Sequence, residues 1–268
     1  MTEIASNNKL GKCVYERNDN HGPVTVFEKH NKRYLTFGNA VEQSCLNLDK
    51  PYQLDHSYTQ AMMLALLLKK DIRRALLLGL GGGSLVRALR HVRTNLEIHA
   101  VEYRSIVIDV AQEWFLLPDD KNIHLHCDDA VDFITQPEPE YDLMFTDLYL
   151  AAGVHDAQND GGFLSNCQKH LSDSGILMAN QWSDSYSDAQ LAREALKAAF
   201  GNKLLSLHVE GGSIVTFAFN GPLPKLNPKQ FYADAQALGV LLDIPLQQLA
   251  RNFWRQNAQA LKLGRYLG

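Results

Sequence analysis

The residues of this chain whose types and order suggest chemistry are a glycine cluster and the acids that follow it. Gly79-Leu80-Gly81-Gly82-Gly83-Ser84 overlaps the end of the apolar run Arg74 to Leu80 and precedes Leu85 to His91, whose apolar residues recur at helical spacing. Glycines at a strand-to-helix junction permit a tight turn and let the backbone approach a ligand closely. The start of the next helix adds unpaired N–H groups and the positive end of its dipole. A plain β–α turn uses glycine too, so the acids decide the reading. Glu102 ends the apolar run Ile98-His99-Ala100-Val101. It lies about twenty residues beyond the loop, the separation at which an acid can accept hydrogen bonds from both ribose hydroxyls. Asp128 and Asp129 follow Ile123 to Cys127; one suits the exocyclic amine of adenine and the other can cap the helix starting at Ala130. Asp147 ends Met144-Phe145-Thr146. Falling at successive strand ends on one face of a sheet, Gly79, Gly81, Gly82, Gly83, Glu102, Asp128, Asp129 and Asp147 outline a nucleoside site.

Positioning these residues requires a regular alternation of elements. Arg74 to Leu80, Glu97 to Val101, Ile123 to Cys127, Tyr141 to Phe145 and Gly175 to Ala179 read as strands. Between and after them, Leu85 to His91, Ile106 to Phe115, Ala130 to Ile134, Phe163 to Leu171 and Ala189 to Phe200 read as helices. Such alternation implies a doubly wound, mostly parallel α/β sheet. Lys203 to Val209 and Ser213 to Phe219 close it as an antiparallel pair. Upstream, Val24 to Phe27 and Arg33 to Phe37 lie in a β-rich segment, Cys13 to Leu48, which reads as a small antiparallel meander. Leu54 to Lys69 turns helical; beyond Pro222, Phe231 to Leu242 and Leu246 to Ala258 form a helical tail. The expected organisation is a meander over 1–53, a Rossmann-like nucleoside-binding domain over 54–221 and a C-terminal helical tail over 222–268.

Composition narrows the function. At 268 residues, 46% hydrophobic and 21% charged, the chain can bury one large α/β core with a small accessory piece. A net charge of −4 gives no reason to expect a nucleic-acid partner. The polar start, Met1 to Lys12, lacks a secretion signal, and Ala61 to Leu68 is far too short to span a bilayer. A cytoplasmic protein without a membrane partner is expected. Cys13, Cys45, Cys127 and Cys167 are scattered and read as reduced thiols. The ten histidines include no H-E-x-x-H pattern, so nothing in the motifs demands a metal.

The order of these motifs resembles the spermidine synthase (polyamine aminopropyltransferase) family from about Val24 to Asn220, and is similar to methyltransferase-like relatives of that family in Gly79 to Leu85, Val101-Glu102-Tyr103 and Gln112 to Phe115. The resemblance implies a class I methyltransferase-like Rossmann fold with a seven-stranded sheet. It also implies S-adenosylmethionine or its decarboxylated form as donor substrate, a small acceptor such as an amine, and a homodimer joined through the meander or the tail. By position Glu102 would hold the ribose and Asp129 the adenine, with Gln43 and Tyr58 at the N-terminal lip and Gln181 and Trp182 lining the acceptor pocket. Two departures stand out. The family's acid inside the glycine loop is replaced by Gly82, and the second acid of its Asp-x-x-Asp pair after the fourth strand, assigned to deprotonating the amine, is replaced by Leu150; Asp147 is the first. His155, Asp156 and Asp160 are nearby substitutes. An aliphatic amine has a pKa near 10 and cannot attack a sulfonium carbon until it loses its proton. Losing two acids near the aminopropyl tail also removes like-charge repulsion against a carboxylate, so S-adenosylmethionine is expected to be tolerated better than in a typical spermidine synthase. An S-adenosylmethionine-dependent methyltransferase and a non-catalytic nucleoside-binding homologue are the alternatives.

Overall fold

The computed structural model describes residues 11–38, 41–137, 139–150, 153–154, 159–182 and 186–263. Its centre is a seven-stranded sheet of order β12 (Leu204–His208), β13 (Ser213–Phe219), β11 (Leu171–Trp182), β8 (Tyr141–Thr146), β5 (Arg74–Leu78), β6 (Glu97–Glu102) and β7 (Ile123–Cys127). The parallel strands are β5, β6, β7, β8 and β11. β13 runs antiparallel between β11 and β12. The central strands are apolar through their length because both faces are covered: Ala75, Leu76, Leu77 and Leu78 of β5 are all buried. On one face pack α1 (Ser57–Met62), α2 (Ala65–Leu68) and α3 (Ser84–Val92), together with the tail helices α8 (Pro228–Leu242) and α9 (Leu246–Leu263). On the other pack α5 (Ala130–Phe133), α6 (Gly161–Lys169) and α7 (Tyr186–Phe200).

The N-terminal meander is a four-stranded antiparallel sheet in sequential order, β1 (Lys12–Asp19), β2 (Gly22–Lys29), β3 (Lys32–Thr36) and β4 (Glu42–Asn47). Its apolar face, Val24, Val26, Leu35 and Leu46, packs on Val107, Val110 and Phe115, from α4 (Ser105–Trp114) and the residue after it. Arg104 pins the same contact: its guanidinium donates to both carboxylate oxygens of Asp19, at 2.9 and 2.7 Å, and to the Gly22 carbonyl at 2.7 Å. The hydrogen bonds from Arg104 hold the Asp19 carboxyl below its usual range, with the Arg104 charge adding to them.

Beyond shifts of a few residues at element ends, such as β5 stopping at Leu78 and β11 beginning at Leu171, two features differ from the sequence reading. The expected helix over 54–69 is split, because Met63, Leu64, Leu66 and Leu67 donate to carbonyls three residues back and tighten the chain between α1 and α2. Residues Ala61 to Ala65 are buried on every side, so packing rather than one amphipathic stripe sets the path there. A two-residue hairpin, β9 (Tyr149–Leu150) with β10 (Gly153–Val154), follows β8 and carried no turn signal in the sequence.

The tail covers an otherwise open edge. β12 is an edge strand, and such edges leave backbone groups unpaired. Asn257 of α9 accepts from Ser206 N at 3.0 Å and donates to Ser206 O at 2.8 Å, while Gln256 accepts from His208 N at 2.9 Å. Among the described residues no helix is long and apolar enough to cross a membrane.

Candidate active site

The site sits at the carboxyl ends of the parallel strands, where open α/β sheets bind ligands. Gly79 follows β5 with a φ of +99°, and a Cβ there would lie 2.4 Å from the Asp147 carbonyl. Only glycine lets the loop cross so close to the end of β8. Gly81, Gly82 and Gly83 then lead into α3, with Gly83 at its N-cap. The meander reaches in beneath the loop: Ser44 of β4 accepts from Gly82 N at 2.8 Å.

Arg87 of α3 is the buried hub of this loop. It donates through Nη1 to the Gly82 carbonyl and, at 2.7 Å, to the Phe115 carbonyl; through Nε at 2.7 Å to the Pro51 carbonyl; and through Nη2 at 3.2 Å to Ser84 Oγ. The loop, the end of α4 and the N-terminal lip are therefore joined by one side chain. Burial without a carboxylate among these acceptors pulls its pKa down to about 9, which leaves it charged at neutral pH.

Glu102, half-buried at the end of β6, aims its carboxylate back at the loop. Oε2 accepts from Leu80 N and Gly81 N, both at 3.3 Å, and Oε1 from Arg104 N at 3.1 Å. Burial raises its pKa, against the lowering effect of those three donors. The contacts fix its orientation, and an ionised carboxylate keeps spare lone pairs for ribose hydroxyls. Asp129 is the N-cap of α5, accepting from Val131 N at 2.7 Å through Oδ1. Asp128 accepts from Asp129 N at 2.8 Å and from Gln136 Nε2 at 3.3 Å. The capping role thus falls to Asp129, the residue the resemblance assigns to adenine; its Oδ2 is not used by the cap.

Asp147 sits where β8 ends. Oδ2 accepts from Tyr58 OH at 2.9 Å and Oδ1 from Asn180 Nδ2 at 3.0 Å. Burial raises its pKa while both donors and the nearby His56 oppose that rise. Tyr58 comes from α1 and Asn180 from β11, so one carboxylate gathers three separate elements. Strand alternation puts Asn180, rather than Gln181, beside Asp147; Gln181 instead accepts from Thr216 Oγ1 at 2.8 Å. Asn180 and His56 escaped the sequence reading. His56 stacks on Tyr58 with ring centroids 5.7 Å apart, and its buried Nε2 has no partner among the described residues. Parity along β11 could have found Asn180; nothing in sequence marks His56. Gln43 lies half-buried in β4 beside Ser44.

Of the substitutes for the missing acid, Asp160 caps α6, accepting from Phe163 N at 2.8 Å. His155, Asp156 and the side chains of Leu150 and Trp182 lie outside the described residues. The other departure has a steric counterpart. A Cβ on Gly82 would lie 2.7 Å from Phe115 Cδ1 and 2.9 Å from Ser44 Cβ. Restoring the family's acid by Gly82→Asp is therefore expected to destabilise the fold by about 1–3 kcal/mol, the usual cost of overpacking, read as a lower urea midpoint. A midpoint equal to the parent would show that the loop can relax.

Strand order, crossover helices and the closing antiparallel pair define a class I methyltransferase-like fold. Among solved structures, the chain superposes on a probable spermidine synthase from Corynebacterium glutamicum with a TM-score of 0.71 at 16% identity, covering 84% of this chain and 86% of that one. It superposes on human Methyltransferase-like protein 13, solved in complex with SAH, with a TM-score of 0.62 at 24% identity, covering 71% and 94%. A polyamine aminopropyltransferase from Neisseria meningitidis is 30% identical over 201 residues, covering 73% of this chain and 75% of that protein. The Spermine/spermidine synthase domain matches residues 55–201, and the chain belongs to that family.

Proposed function

We propose that this chain transfers an aminopropyl group from decarboxylated S-adenosylmethionine to a small polyamine-like acceptor. The observation that carries the reading is Asp147, a carboxylate with a raised pKa held between Tyr58 and Asn180 at the strand ends that also carry Glu102 and the glycine loop. Its support is membership of a family whose matched relatives are aminopropyltransferases.

The donor's adenosine lies along Glu102 and Asp129, its sulfonium over the glycine loop. Glu102 accepts from the ribose hydroxyls and Asp129 from the adenine amine. The acceptor arrives as an ammonium ion. Asp147 orients it and takes its proton, and the raised pKa makes this carboxylate a better base than a free aspartate. The amine nitrogen then bonds to the aminopropyl carbon as the carbon–sulfur bond breaks. Its electron pair returns to sulfur, the cationic sulfonium becomes a neutral thioether, and methylthioadenosine leaves. With Gly82 and Leu150 where the family carries acids, S-adenosylmethionine is tolerated better than in a typical spermidine synthase. The reading includes a homodimer located in the cytoplasm, acting on small molecules rather than nucleic acid.

Calorimetric titration tests the donor half. Glu102→Gln is expected to raise the dissociation constant for the decarboxylated donor about 100-fold, because charge-assisted bonds are lost and the new amide must set its N–H groups against either the Arg104 N–H or those of Leu80 and Gly81. Equal affinity in parent and variant would remove Glu102 from the site. No heat with either donor form would contradict nucleoside binding altogether.

A further inference from the structure

Away from this site, the parallel sheet carries polar side chains on a face that such sheets normally fill with apolar ones. β6 alternates Glu97, His99 and Val101 on one face, and β7 alternates His124 and His126. In the parallel register His99 pairs with His124 and Val101 with His126, so the three imidazoles and Glu97 share one surface. They touch. His99 Nε2 is 3.1 Å from Glu97 Oε1, and His99 Nδ1 is 3.1 Å from His126 Nε2. The ring centroids of His99 and His124 are 4.7 Å apart. One ligand atom each from Glu97, His99 and His124 lies within 4.8 Å of the others.

We propose that Glu97, His99 and His124 form a binding site for a late first-row divalent cation of the zinc class. Two imidazole nitrogens and a carboxylate oxygen are a donor set suited to zinc. Tetrahedral ligation at about 2.0–2.1 Å needs ligand atoms about 3.3 Å apart, close to the separation of Glu97 Oε1 and His99 Nε2. His124 is exposed and free to swing in, leaving the remaining coordination to water. The outer contacts are those a metal site uses. With the cation on His99 Nε2, the Nδ1–H donates to His126 Nε2. Arg74 Nε holds the second oxygen of Glu97 at 2.9 Å, presenting the first. The cluster of Glu42, Cys45 and Asp55 is a poorer candidate: Lys32 already bonds both Asp55 oxygens at 2.8 Å, and burial pushes the Cys45 thiol far up, keeping it protonated. A cation at His99 and His124 would tie β6 to the edge strand β7, whose carboxyl ends lead to Glu102, Asp128 and Asp129.

The site stands independently of the transfer reaction, and metal binding itself is its test. Metal-free full-length chain without a histidine tag is titrated with Co2+, then with Zn2+. One Co2+ per chain is expected, with visible d–d absorption, no thiolate charge-transfer band, and displacement by Zn2+. His124→Ala, at an exposed position, is expected to leave metal-free melting unchanged and to weaken binding about 100-fold or more, and His126→Ala to weaken it about 10-fold. Cys127→Ser should leave it unchanged. Absence of a stoichiometric site, thiolate absorption, or an affinity unaltered by His124→Ala would each overturn the assignment.

Discussion

Asp147→Asn is expected to lower turnover by about 10²–10⁴-fold, the usual worth of a positioned proton acceptor, while leaving the fold at least as stable as the parent at neutral pH. The two effects separate because the carboxylate is costly where it is useful. Burial raises the Asp147 pKa above the ordinary aspartate value near 3.8. A carboxyl group with a raised folded-state pKa contributes stability that is fully present below its unfolded pKa and lost as pH rises through the folded one. At neutral pH the wild type therefore carries the cost of a desolvated charge, and the amide does not. Asn180 can turn its amide to accept from the new side chain, and Tyr58 keeps an oxygen to donate to. Urea unfolding of parent and variant across pH should show a gap in the variant's favour that opens as pH rises from the acid range and vanishes below it. A variant markedly less stable at pH 7 would mean that the carboxylate is structural; unchanged turnover would mean that the acceptor's proton goes elsewhere.

Arg87→Met should cost about 3–5 kcal/mol, the carbonyl acceptors it strands less the guanidinium desolvation it relieves. The substitution orphans the carbonyls of Gly82, Phe115 and Pro51 at once, and each unsatisfied buried acceptor costs about 1–3 kcal/mol. Part of this is offset because a desolvated guanidinium disappears with it. Against a typical total of about 5–15 kcal/mol, the loss is large. Arg87→Lys should not rescue it, since one ammonium cannot span three carbonyls that a planar fork reaches. Equilibrium denaturation with an unchanged m-value checks the figure; a loss under about 1 kcal/mol would show that water satisfies the freed carbonyls.

The strand ends were legible in the sequence because period and punctuation both marked them. Apolar runs such as Ile98 to Val101 and Met144 to Thr146 terminate at an acid, and those acids lie on one edge of the sheet whatever the helices between them do; the run read as Arg74 to Leu80 stops two residues earlier, at the glycine. What was not legible depends on contacts between distant segments. The 3-residue hydrogen bonds that split α1 from α2 answer to burial, not to propensity. Arg87 reads as an ordinary helix arginine, and only the fold brings Pro51 and Phe115 to it. Asn180 next to Asp147 follows from the register of β11 on β8, in which Ala179 pairs with Thr146; a one-residue slip would have favoured Gln181. The imidazole cluster was invisible because its members are spread over two strands with no helical H-E-x-x-H spacing.

The most direct test of the transfer reaction is a product assay. The chain is incubated with decarboxylated S-adenosylmethionine and a short aliphatic diamine, and both products are measured by mass spectrometry. Equal amounts of methylthioadenosine and of the diamine carrying one added aminopropyl group are predicted, with Asp147→Asn losing both together. Neither product from the decarboxylated donor, with S-adenosylhomocysteine and a methylated acceptor formed from S-adenosylmethionine instead, would contradict it.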